Sequence, residues 1–542
     1  MLLLYSFLLL ALSGAPATAA RLGNIVEPPL PPPLAIEDIE GFVPIQLTKR
    51  KISTGFFDQY IDHSNPSLGT FRQKFWWNDQ FYKGPGSPVI LFNPGESRAD
   101  HYTGYLTNQT IPGMYAQAVG GAVVMLEHRY WGESSPFANL STKNMQYLTL
   151  NNSISDTTRF ARQVTLPFDG SGATNAPKAP WVFVGGSYPG ALAGWVDSVA
   201  PGTFWAYHAS SAVVEAIDDY WRYFTEIIEG MPKNCSSDVS LVVEHIDKVL
   251  KTGSDSDKSA LQTAFGLGFL KQDDFASTLM NGPYLWQSVD FTTGYSDFYK
   301  FCDYVENVPP NATTRVPPGP DGVGVEKALT GYQNWVKKEY LPTACDSVGF
   351  PKGDLGCLDT YNVSNPILHN YTVLNGANRQ WFWLTCNEPL KFWQIGSPEG
   401  EKTIVSRLVN SQYFERQCKL WFPDEPREDG GVYTYGIALG KDVADVNKYT
   451  GGWNHTNTTR LLWVNGQYDP WLHATVSAPS RPGGPLQSTE KAPVLVVPGG
   501  VHCSDLIIRN GDVNEGVRQV QSQARDIMKK WVSEFPKGGN SA

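Results

Sequence analysis

Short runs of apolar, β-branched residues constrain this chain more than any other feature. They are PVILFN (88–93), GAVVMLEH (121–128), WVFVGG (181–186), RLLWVNG (460–466) and PVLVVPG (493–499). None alternates cleanly between polar and apolar residues, which is the pattern of strands buried in a parallel sheet. Helical patterns lie between or after them. Ala191 to Val199 can form a helix after the third run, and Val517, Val520, Ala524, Ile527, Trp531 and Phe535 share one helical face near the C-terminus. Strands alternating with helices predict an α/β fold.

Between residues 212 and 435 the texture changes. SDVSLVVEHIDKVL and DKSALQTAFGLGFL read as helices, NRQWFWLTCNEPLKFW is densely aromatic, and every cysteine except Cys503 falls here. The expected organisation is an α/β core made of residues 51–211 and 436–542, interrupted and capped by a mostly helical insertion over 212–435.

The N-terminus carries a different signal. Residues 1–20, MLLLYSFLLLALSGAPATAA, combine a short apolar stretch with a small-residue cleavage pattern, the reading of a signal peptide. NIVEPPLPPPLAIEDIE follows, too rich in proline for a helix or a central strand, and then Lys49-Arg50-Lys51, a basic processing site. Residues 21–50 therefore read as a propeptide or a linker. A secreted protein is expected, with the vacuolar or lysosomal lumen as the alternative. N-x-[ST] sequons, among them Asn108, Asn139, Asn362 and Asn457, would carry N-glycans along that route. With 7 cysteines, six can pair in an oxidising compartment and one remains.

A formal charge of −10 and no basic stripe disfavour nucleic acid as a partner. No later segment offers a membrane span, and no Cys or His spacing suggests a metal; no cofactor is expected.

The ends of the apolar runs carry the chemistry. A serine hydroxyl needs a base to take its proton, and that base needs an acid to hold its tautomer and stabilise its cation. In α/β-hydrolases the order is Ser, then Asp or Glu, then His, each after a strand. Here Ser187 follows WVFVGG, Asp469 follows RLLWVNG, and His502 follows PVLVVPG. Pro189 stands where the G-x-S-x-G elbow wants Gly, but in the first turn of a following helix it removes no needed N–H. The N–H of Tyr188 is the expected first oxyanion donor, and that of Gly95 or Glu96, after PVILFN, the second. Asp505 is a competing acid, but it precedes LIIRN and reads as a helix N-cap.

GGSYPG, EHRYWGESSP (127–136), NGQYDPW (465–471) and GGVHCSDL (499–506) together resemble family S28 serine peptidases. The likeness is greatest to the family's secreted fungal, acid-acting prolyl endopeptidases, and it runs from about Phe56 to the C-terminus. It implies an α/β-hydrolase fold with a helical insertion, with Ser187, Asp469 and His502 as nucleophile, acid and base. It further implies proline-containing peptides and proteins as substrates, cut on the carboxyl side of proline and secondarily of alanine. A rigid, apolar proline ring is best received by aromatic walls, for which Trp471 and Tyr188 are the candidates. Trp381, Trp383 and Trp393 read first as core packing. Glu127 and Arg129 read as a buried structural pair. An exopeptidase of the same family and an inactive hydrolase-fold binding protein are the alternatives. A lipase lacks support because no HGGG stretch is present.

Overall fold

The computed structural model describes residues 28–39, 52–289, 291–292, 295–308 and 318–536. The expected signal peptide and Lys49-Arg50-Lys51 lie outside the described residues. The central sheet has 8 strands: β1 (Ile52–Tyr60), β2 (Thr70–Asn78), β3 (Val89–Phe92), β4 (Ala122–Leu126), β5 (Trp181–Gly186), β6 (Ala206–Ser210), β7 (Leu461–Gly466) and β8 (Val494–Val497). Their order across the sheet is β1-β2-β4-β3-β5-β6-β7-β8. β2 is antiparallel to β1 and β4, and every other pairing is parallel. This is the α/β-hydrolase arrangement, with the Ser187, Asp469 and His502 loops all at the same edge because β5, β7 and β8 run in one direction.

Both faces of the parallel part are covered, which explains the unbroken apolar runs. Ile90, Phe92, Val123, Met125, Val182, Val184, Leu462 and Val464 face one apolar cluster, whereas Val89, Leu91, Val124, Phe183 and Trp463 face the other. Each such side chain contributes roughly 1.5–3 kcal/mol by leaving water. The last run differs from the expectation of full burial: β8 is an edge strand, and Val496 is 46% exposed.

The C-terminal helix spans Glu515–Ser533 and buries Val517, Val520, Ala524, Met528 and Trp531. Ile527 is half-buried, and Phe535 lies past the helix end, edge-on to Trp205. Between β6 and β7 the chain is mostly helical, including Lys233–Thr252, Asp255–Ala264, Val325–Trp335, Arg379–Asn387 and Ser411–Trp421. Disulfides Cys235–Cys302, Cys345–Cys357 and Cys386–Cys418 all lie here, and Cys503 is free and buried. Among the described residues the insertion has no core separate from that of the sheet. One apolar cluster runs from Leu91 and Phe183 of the sheet through Trp381 to Phe301.

The proline-rich segment also departs from expectation. Ile36–Ile39 form a helical turn once the prolines end, and Ile36 and Ile39 are buried. Leu34 and Ile39 join the same cluster as Phe92, Tyr102 and Tyr105. Among the described residues, no helix is long and apolar enough to cross a membrane.

Candidate active site

The turn after β5 depends on residues without side chains. A Cβ on Gly185 would come within 2.1 Å of the Pro189 carbonyl oxygen, and one on Gly190 within 2.7 Å of Ser210 O. That close approach brings helix Tyr188–Val199 tight against the sheet and leaves Ser187 at φ 65°, ψ −123°. A non-glycine residue rarely sits there, so the turn holds Ser187 in a strained conformation. The helix begins at Tyr188, three residues before the expected Ala191, with Pro189 in its first turn. The Pro189 ring also packs on Gly95, where an added Cβ would meet it at 2.4 Å.

Ser187 Oγ lies 2.8 Å from His502 Nε2, a residue 315 positions away. His502 Nδ1 lies 2.8 Å from Asp469 Oδ1, which also accepts the Trp471 backbone N–H at 2.9 Å. All three side chains are buried. Burial works against the His502 imidazolium, but the Asp469 carboxylate and the neighbouring Cys503 together outweigh it and raise the ring's pKa well above the usual histidine range.

The loop bearing His502 is pinned by Asp505, which is not a helix N-cap. The next helix starts only at Asn510. Asp505 instead accepts from Ser210 Oγ at 2.5 Å and pairs with His208 Nε2 at 2.9 Å, while Tyr115 Oη holds His208 Nδ1 at 2.6 Å. The Cys503 N–H donates to Ser211 Oγ at 2.9 Å. β6 thus fixes the loop after β8.

On the other side of Ser187, the Gly95 N–H donates to Asn93 Oδ1 at 2.8 Å. The Glu96 carbonyl accepts from Asn378 Nδ2 of the insertion at 3.1 Å. The Glu96 carboxyl is fully buried, and its oxygens have no hydrogen-bond partner among the described residues. Burial pushes its pKa well above the usual carboxylate range, against the opposing pull of nearby His502. Tyr188 donates its hydroxyl to His128 Nε2 at 3.0 Å, since His128 Nδ1 faces the Arg129 carbonyl at 2.9 Å. Burial lowers the His128 pKa to about 4, which keeps the ring neutral.

Trp471 is packed at right angles to Phe392 (5.4 Å) and Tyr223 (5.3 Å) and lies against Tyr220 (5.4 Å). Trp381 stacks on Phe392 at 6.5 Å and meets Tyr188 edge-on at 5.8 Å. Trp383 packs instead on Phe422, and Trp393 on Phe414. The indole N–H of Trp471 donates to Gln287 Oε1 at 2.7 Å, and Tyr223 Oη donates to the same atom at 2.9 Å. Phe392, Tyr220, Tyr223 and Gln287 are not singled out in the sequence; aromatic density around 379–393 is the one signal that points to Phe392.

Glu127 and Arg129 do not pair with each other. Arg129 makes two bonds to Asp156 (2.7 and 2.6 Å) and serves the carbonyls of Tyr60, Ile61 and Tyr147 at 2.8–3.0 Å. Glu127 accepts from Ser134 Oγ at 2.7 Å and from the N–H groups of Glu133 and Ala99 at 3.0 and 3.2 Å. Both residues lie just past the end of β4, where the chain has left the strand, and their side chains reach different partners.

The buried carboxyls set a pH dependence of stability. Burial raises Glu127 and Glu215 to about 7. A carboxyl with a raised folded-state pKa binds its proton more tightly when folded, so stability is highest with it protonated and declines as pH rises through that pKa. For Asp156, burial is outweighed by Arg129 and His63, which hold it below the usual range; its contribution is lost only at strongly acidic pH. The melting temperature is therefore expected to rise between pH 8 and about pH 5, and Glu127→Gln with Glu215→Gln should flatten that rise. A melting temperature that falls steadily from pH 8 to 5 contradicts the assignment.

Comparison with known proteins follows the same lines. The family model "Serine carboxypeptidase S28" matches residues 59–522. Serine protease vicPa of Bipolaris victoriae is 40% identical over 486 residues, covering 89% of each chain. A probable extracellular serine carboxypeptidase of Arthroderma benhamiae is 28% identical, covering 85% of this chain and 64% of its own. Thymus-specific serine protease of Mus musculus is 24% identical, covering 89% and 88%. Among solved structures, a proline iminopeptidase of Mycobacterium smegmatis aligns over 89% of this chain and 98% of its own at 9% identity and a TM-score of 0.30. An epoxide hydrolase from Vigna radiata aligns over 89% and 99% at 12% identity and a TM-score of 0.32. Carrying a family match across most of its length, this chain belongs to the S28 family of serine peptidases.

Proposed function

We propose that this peptidase cuts on the carboxyl side of proline, and secondarily of alanine, through an acyl-enzyme formed on Ser187. The observation that carries this reading is the chain of contacts from Ser187 Oγ to His502 to Asp469, each 2.8 Å long. His502 Nε2 takes the hydroxyl proton as Ser187 attacks the carbonyl, then passes it to the leaving nitrogen; water deacylates the enzyme by the reverse exchange. Asp469 holds the Nδ1–H tautomer and stabilises the imidazolium. The Tyr188 N–H serves the oxyanion, and because Gly95 N–H is engaged by Asn93, Glu96 N–H is the second donor. The aromatic group of Trp471, Phe392, Tyr220 and Trp381 supports a pocket for a proline ring. The disulfides fit an oxidising compartment, in keeping with secretion, with the vacuolar lumen as the alternative; exposed Asn108, Asn139, Asn362 and Asn457 are the proposed glycan sites.

Endopeptidase action is the reading taken from the resemblance to fungal prolyl endopeptidases, whereas the family model's name favours a carboxypeptidase. A long peptide blocked at both ends, with one internal proline, separates them. The expected result is a single internal cut after the proline. Loss of terminal residues from an unblocked peptide, with the blocked one intact, supports the exopeptidase instead.

A further inference from the structure

The donor assigned to the oxyanion is already occupied. Tyr188 N–H donates to the carbonyl oxygen of Pro29 at 3.3 Å, and Gln287 Nε2 donates to that of Pro28 at 3.0 Å. Both contacts come from the proline-rich segment, which continues through the site. Tyr102 and Tyr105 hydroxyls hold the carbonyls of Pro31 and Pro32 at 3.1 and 2.8 Å. Beyond them Leu34 exchanges backbone hydrogen bonds with His101 and Gly104, and Ile36 N–H donates to Thr103 Oγ1 at 2.9 Å. Pro29, Pro31, Leu34 and Ile36 are buried. Anchored at both ends of its run, this stretch is more than a chance contact.

We infer that Pro28–Pro32 occupies the substrate cleft, with Pro29 at the position of the residue that precedes the cut and Gln287 as the side chain that reads the carbonyl before it. The inference rests on the proposed function, because Tyr188 N–H is an oxyanion donor only if Ser187 is the nucleophile. It gives that function a specificity determinant. Gln287 Oε1 is fixed by Trp471 and Tyr223, so its Nε2 is aimed at the cleft and donates to a backbone carbonyl whatever side chain the residue before the proline carries. It also makes the full chain latent. The occupant resists cutting because it is curled: Leu30 N–H donates back to Pro28 O at 3.0 Å, a three-residue turn centred on Pro29. A peptide laid along a cleft for cutting is extended, and this turn folds the backbone back on itself at Pro29 instead.

The test uses the full chain and a variant with the anchor removed, Leu34→Asp with Ile36→Asp, neither of which is in the catalytic machinery. With a fluorophosphonate probe, the variant is expected to label Ser187 at least about tenfold faster than the parent, and a synthetic PPLPPPLAI peptide should inhibit it competitively. Should the double substitution unfold the chain, Tyr102→Phe with Tyr105→Phe removes only two hydroxyl contacts and is expected to speed labelling about tenfold. In the released chain Gln287→Glu, which keeps the acceptor and loses the donor, should raise KM about tenfold and leave kcat within about twofold. Equal labelling of parent and released chains overturns the occupancy, and an unchanged KM overturns the role of Gln287. No labelling of Ser187 in either chain would instead sink the proposed function itself.

Discussion

Ser187→Ala in the released chain is expected to lower kcat/KM on a proline-containing peptide by on the order of 10^5- to 10^6-fold, the loss seen when a serine nucleophile is removed from an intact triad. His502→Ala should cost about as much, and the double substitution little more than either alone, because the two side chains act as one unit. Thermal melting should hardly move in Ser187→Ala, since only one hydroxyl leaves a site whose backbone is fixed by Gly185 and Gly190. Activity within tenfold of the parent would place the nucleophile elsewhere, and nearly additive losses would break the coupling inferred from the 2.8 Å contacts.

The largest effect on stability is expected at Arg129, away from the chemistry. Its guanidinium is fully buried, pairs with Asp156 through two nitrogens and satisfies three carbonyls. It ties the end of β4 to helix Leu150–Gln163 and to the end of β1. Arg129→Ala leaves the buried Asp156 carboxylate with only His63 beside it and should cost about 3–5 kcal/mol, read as a lower denaturant midpoint. Arg129→Lys should recover only part, because an ammonium cannot reproduce the planar fork. Adding Asp156→Asn to Arg129→Ala should reduce the loss by removing the stranded charge. A cost within about 0.5 kcal/mol for Arg129→Ala would show the network to be idle.

What was legible in the sequence follows from range. β3, β4, β5 and β7 are read directly because both faces are covered, so each is a dense apolar word. β1 and β2 escape because their outward positions are polar or exposed, and β6, AYHAS, is too short and mixed to stand out. Ser187, Asp469 and His502 are found because a strand end is itself a coordinate: three strand ends in the right order point to one place. Asp505 was misplaced for the opposite reason. Its partners, His208 and Ser210, come from a strand nearly 300 residues earlier, separated by 297 and 295 positions, and the local LIIRN pattern suggested a cap. Arg129 likewise takes Asp156, 27 positions on, over its neighbour Glu127. Gln287 carries no pattern at all, since one amide in NGPYLWQ becomes a site only when Trp471 and Tyr223 fix it. The prolines of 28–33 announced that the segment could not join the sheet, but not that their free carbonyls would be taken up by Tyr188, Gln287, Tyr102 and Tyr105.

The central claim is that the elbow after β5 presents an activated nucleophile. Peptide mapping after fluorophosphonate treatment of the native, released chain tests it most directly. The account predicts one covalent adduct, located on Ser187, formed rapidly, and lost both in Ser187→Ala and after denaturation before treatment. An adduct on any other residue, or an unmodified Ser187 in a folded chain that still cleaves peptides, would contradict it.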